Sequence, residues 1–258
     1  MIPFFRKIRK TLADDNKPLK YIRYAIGEIV LVVVGILIAL SINNWNEKRV
    51  RTEETKLRLS NLVNDLEEDQ KHLNYLQDHF GFTFHALQYL FEMANVDPYH
   101  PNLDDIVVPY HKNHQALPNT YDKELIQVAF KLSQQVGVQL NGANTYNELK
   151  STGQFSYIPN DDLKDQINGY YGAWEWSFDP IMNDLKKRWL YSLDKIGIME
   201  SNPFAMENPL SVLTNDPERA AILRRLTREI GFYAMSAKSL LEANTNLIKS
   251  IKAEIAQR

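Results

Sequence analysis

Few residues in this chain stand at spacings that could do chemistry. Asp69-x-x-His72 comes nearest to the Glu-x-x-His turn of a di-metal helical bundle, but the second such turn is missing. His100, His111 and His114 supply three imidazoles, the number that can hold a zinc ion with an open position. They fall in a proline-broken stretch with no element to aim them, and surface histidines are the simpler reading. No GxSxG, HExxH, Walker-type loop or GxGxxG occurs. The chain has no cysteine, which excludes thiolate metal sites, iron–sulfur clusters, disulfides and a cysteine nucleophile. Spacing thus justifies no catalytic residue, no metal site and no cofactor, and the expectation is a protein that is not an enzyme.

Two groups of residues merit a structural test. Tyr146, Tyr170, Tyr171, Trp174 and Trp176, with Phe155 and Phe178 nearby, form an aromatic cluster. Such a cluster fills a core, makes a protein interface or lines a small-ligand pocket, and helical aromatics do the first most often. Glu28 is the one ionisable residue in an otherwise apolar run. A carboxylate within a membrane is costly and is often functional. Glu28 is also only five residues beyond Arg23, so the headgroup layer is within its reach.

The elements that position these residues follow from hydropathy and period. Ile29 to Asn46 carries no charge, and residues 21–45 make a helix of about 37 Å, enough to cross a bilayer core. Tyr21 and Tyr24 precede the run and Trp45 follows it, as expected of an aromatic belt. Ala39-Leu40-Ser41 would suit a signal-peptidase site, but the basic region and the apolar run are both longer than a signal peptide uses, which favours an uncleaved anchor. Seven Lys or Arg precede the span and five follow closely, placing the N-terminus in the cytoplasm by the positive-inside rule. Ile2, Phe5, Ile8 and Leu12 are spaced for a short amphipathic helix at the lipid surface; a solvated basic tail explains the same residues. Gly27, Gly35 and Ala39 share a small-residue face beside Glu28 that would permit close helix–helix contact. Asn43, Asn44, Trp45 and Asn46 form a polar and aromatic collar where the helix leaves the bilayer.

Beyond Trp45, apolar residues recur at alternating steps of three and four. Leu59, Leu62, Leu66, Asp69, Leu73, Leu76, Phe80, Thr83, Leu87, Leu90 and Ala94 make one heptad seam. Leu223, Leu226, Ile230, Tyr233, Ala237, Leu240, Asn244, Leu247 and Ile251 make another. Asp216 as N-cap and Pro217 at the first helical position open this second long helix, and Asn244 is its polar register-setter. Shorter helices are expected over 122–135, with Leu125, Val128, Ala129, Leu132 and Val136 on one face, over 146–152, from Asn160 through Tyr171, and over 174–196. Ile106-Val107-Val108 is the sole extended candidate. The fold class is all-α: a basic segment over 1–20, a transmembrane helix over 21–45, and an elongated helical bundle over 46–258 built on two heptad-patterned helices.

Residues 1–23 carry net charge +5 and residues 24–258 carry −7, so nucleic acid is not an expected partner. The stretch from Tyr24-Ala-Ile-Gly-Glu-Ile through Gly35-Ile-Leu-Ile-Ala-Leu to Asn43-Asn-Trp-Asn-Glu47 resembles the opening of an uncharacterised family of Bacteroidota single-pass membrane proteins. Tyr146-Asn-Glu-Leu-Lys-Ser-Thr-Gly153, with Ile158, Asn160, Leu163, Ile167 and Tyr170-Tyr171, is a second match. Ser41 stands where that family is expected to carry Gln. The resemblance implies architecture and localisation, an inner-membrane anchor with a periplasmic helical domain, and implies no activity. Two roles fit these expectations. The first is a structural or interaction protein that self-associates or binds another envelope protein at the lipid bilayer. The second is a single-pass sensor whose helical body binds a ligand and signals through a membrane partner.

Overall fold

The computed structural model describes residues 18–98, 117–135, 143–178, 181–198 and 208–257. Among these residues every regular element is helical, and the protein is all-α. Helix α1 runs unbroken over Pro18–Met93, α2 over Lys123–Gln134, α3 over Asn144–Ser151, α4 over Asp161–Ser177 and α5 over Ile181–Asp194. A 3-10 turn at Gln154–Tyr157 joins α3 to α4; the short α6, Ser211–Thr214, precedes the long α7, Pro217–Ala256. The chain divides into two compact units, Met1–Lys56 and Leu57–Arg258.

In the first unit, the helix is apolar on all sides and long enough to cross a membrane, and none of its most apolar window is buried by protein. Every Ile, Leu and Val from Ile29 to Ile42 is exposed.

In the second unit the two heptad seams meet. All eleven seam positions of α1 from Leu59 to Ala94 and all nine of α7 from Leu223 to Ile251 are buried. The contacts fix the direction. Phe84 meets Gly231, Phe80 packs edge-on to Tyr233 with ring centroids 5.5 Å apart, and Gln70 donates to Thr245. Numbers fall along α1 as they rise along α7, so the pair is antiparallel. A Cβ on Gly231 would lie 2.8 Å from the Phe84 ring, so this crossing requires a residue without a side chain.

The caps act as the residue types dictate. Asp216 accepts from the N–H groups of Glu218 and Arg219, with Pro217 opening α7. Asn160 accepts from Leu163 N–H at 3.1 Å and opens α4. Gly153, at φ 72°, ends the α3 segment in the left-handed region, which glycine enters without a Cβ clash.

Two expectations need correction. The helix expected over 174–196 is two helices, α4 ending at Ser177 and α5 starting at Ile181, with Asp179-Pro180 between them. Proline has no N–H for the helical ladder and restricts the residue before it, so the apolar pattern could not run through. In α2 the buried residues are Ile126, Ala129, Phe130, Ser133 and Gln134; of the expected face Ala129 is buried, Leu125 and Leu132 pack partly buried against the core, Val128 is 38% exposed, and Val136 lies outside the described residues. Phe130 is fully buried, and the Trp189 indole of α5 donates to Ser133 Oγ at 2.9 Å. The large aromatic and the paired serine set the face. Ile106–Val108 and the amphipathic segment at Ile2–Leu12 lie outside the described residues.

Candidate functional site

Two of the three polar seam residues share a partner. Asp69 on α1 and Asn244 on α7 both contact Tyr170 of α4. The Tyr170 hydroxyl donates to Asp69 Oδ2 at 3.1 Å and accepts from Asn244 Nδ2 at 3.0 Å. The same Nδ2 donates to the Leu66 carbonyl at 2.9 Å. Flipping the amide would set its oxygen against that carbonyl, so the orientation is fixed by the chemistry. Three helices thus share one buried polar layer inside an otherwise apolar core.

A pocket of about 180 Å³ adjoins this layer. Asp69, Tyr171, Trp174 and Glu175 line it together with Ala143, Tyr146 and Asn147 at the start of α3. Asp65 of α1 accepts from Thr145 N–H at 3.0 Å and so holds the N-terminus of α3 in place, where no side chain of its own caps the helix. Tyr146 stacks on Tyr171, centroids 4.2 Å apart and planes within 13°. Its hydroxyl donates to Asn168 Oδ1 at 2.8 Å and accepts from Lys150 Nζ at 3.1 Å. Trp174 stacks against His72 at 6.4 Å.

Burial leaves some of these groups unsatisfied. Tyr171 is 7% exposed and Trp174 is 8% exposed. The Tyr171 hydroxyl and the Trp174 Nε1 find no hydrogen-bond partner, although the indole lies near the Tyr170 oxygen. A buried donor left without a partner costs about 1–3 kcal/mol. Burial, and then the charge of Asp69, push both the Tyr170 and Tyr171 phenols well above the ordinary tyrosine range. Both are therefore neutral donors at physiological pH. Burial also lowers the pKa of His79 and favours its neutral form.

The structure brings together Tyr146, Tyr170, Tyr171 and Trp174 of the aromatic group. Trp176 stands apart, 86% exposed. The sequence does not mark Asn147, Asn168 or Asp65: each is a polar residue off its helix's apolar stripe, and its partner comes from a remote segment or a neighbouring turn. Asp69 and Asn244 did leave a signal: they are polar breaks in the two seams, at positions that pair in the antiparallel register.

Along the apolar stretch Gly27 and Gly35 have open space where a Cβ would stand, and Glu28 is half-exposed. At the collar, Asn43, Asn44, Trp45 and Asn46 are exposed. Asn43 Nδ2 donates to Glu47 Oε1 at 2.8 Å, and the Arg49 guanidinium lies 5.5 Å from the Trp45 ring centroid. No cluster of three or more metal-ligating side chains occurs among the described residues. His100, His111 and His114 lie outside them.

No curated protein and no solved structure matches the chain. Residues 28–80, which join most of the apolar stretch and its collar to the first part of the α1 seam, match the model of a family of unknown function, DUF6090.

Proposed function

We propose that this is a single-pass membrane protein whose helical body serves as a non-catalytic interaction module. Its N-terminus lies in the cytoplasm and its body in the periplasm, attached to the inner membrane of a bacterium. The observation that carries the reading is the uncovered apolar row. Eleven Ile, Leu and Val side chains between Ile29 and Ile42 have no protein packed on them. Withdrawing one such side chain from water is worth about 1.5–3 kcal/mol. Left in water, the row would forgo that gain and drive association with other apolar surfaces. Lipid is the cover that fits an all-round apolar helix of this length.

The collar supports the same reading, since Trp45 and three asparagines are chemistry for the headgroup layer. The open space beside Gly27 and Gly35 supports self-association through the membrane helix, with a second envelope protein as the other available partner. Crosslinking in native membranes tests this part. A dimer or a mixed adduct is expected, weakened by Gly35→Ile, and recovery of monomer alone would contradict it. Protease added to the periplasmic side should degrade the body while sparing the first twenty residues.

A further inference from the structure

We propose that the pocket between α1, α3 and α4 binds a small organic ammonium cation. The two charged residues in its lining, Asp69 and Glu175, are both carboxylates, and no basic residue joins them among the described residues. Lys150, which is not in the lining, bonds to the phenol oxygen of Tyr146 and lies 5.0 Å from the centroid of that ring. A lining of this sign repels an anionic ligand and attracts a cation. The remaining walls are the aromatic side chains of Tyr146, Tyr171 and Trp174, whose π faces hold ammonium groups.

Size narrows the class further. A volume of about 180 Å³ is below the about 300–1,000 Å³ of pockets that take drug-sized ligands, which selects a molecule with few non-hydrogen atoms.

The site lies wholly within the second unit, so its test is independent of the anchoring reading. Full-length protein in an uncharged polyoxyethylene detergent is titrated with choline and with ethanolamine, and thermal unfolding is followed. 3,3-Dimethyl-1-butanol, the uncharged isostere of choline, and glucose serve as the comparisons. A saturable rise in unfolding temperature with at least one ammonium compound is expected, with the isostere about tenfold weaker or more. Glu175→Gln, a change at an exposed carboxylate, should weaken the ammonium compound about two- to fivefold without altering the unliganded unfolding temperature. Trp174→Phe keeps a ring but presents a weaker π face, and should weaken binding about two- to fivefold. Absence of a saturable shift with both ammonium compounds would overturn the proposal. So would equal binding of the uncharged isostere, tighter binding of glucose, or unaltered binding by Glu175→Gln and Trp174→Phe together.

Discussion

Residues 29–42 and 59–93 belong to the same helix; the first segment is rich in isoleucine, leucine and valine, the second in leucine. In the first segment every one of those side chains is exposed; in the second an unbroken seam is buried. The difference is one of period. The second segment centres its apolar residues on a seam, which α7 and the shorter helices beside it cover. The first is apolar on all sides, and a neighbour on one side could cover only part of it. A helix therefore states in its sequence whether protein or a surrounding apolar medium is its partner, and α1 states both in turn.

Substitutions that treat the two segments alike should give opposite results. The largest effect is expected at Phe80, fully buried against Tyr233. Phe80→Ala should cost the body about 3–5 kcal/mol in denaturant unfolding. A similarly drastic change at Leu37, which is exposed, should leave the unfolding of the body unaltered and act on membrane partition instead. Leu37→Arg should cost about 2.5–3.5 kcal/mol for insertion at the centre of a span, read as a shift of protein out of the membrane fraction. If Leu37→Arg instead destabilised the body as Phe80→Ala does, the distinction between the segments would fail.

Smaller effects sharpen the comparison within the seam. Asn244→Ala removes the bonds to the Leu66 carbonyl and to Tyr170, and should cost about 1–3 kcal/mol. The smallest effect is in the alkaline range. The phenols of Tyr170 and Tyr171 are raised above 10.0 by burial, so the folded state keeps their protons where the unfolded chain loses them. Their contribution to stability is complete below about pH 10 and declines as pH rises from there. Tyr171→Phe should flatten that decline in a urea series across alkaline pH, and an unchanged slope would show that the ring is not buried as described.

The same contrast explains how much could be read from the sequence. Long periodic segments declared their partners: each seam position of α1 and α7 is buried, and the caps at Asp216 and Asn160 form as their residue types suggest. A twelve-residue helix such as α2 offers too few turns to separate neighbouring faces, and Phe130 with Ser133 decided the matter through Trp189. The break at Pro180 was a local signal overridden by an apolar pattern that resumes in α5. The pocket was legible only in part. Its aromatic rings were visible in sequence, but the carboxylate of Asp69 reaches it from a helix about a hundred residues distant, and only tertiary packing makes that connection.

The most direct test of the account is fractionation of the full chain beside a version lacking residues 21–45. Membranes are washed with alkaline carbonate, and circular dichroism is recorded on both proteins. Full-length protein is expected to stay with the membrane until detergent is added, while the shortened protein is recovered in the supernatant with a helical spectrum. Recovery of the full-length protein in the supernatant without detergent would contradict the account.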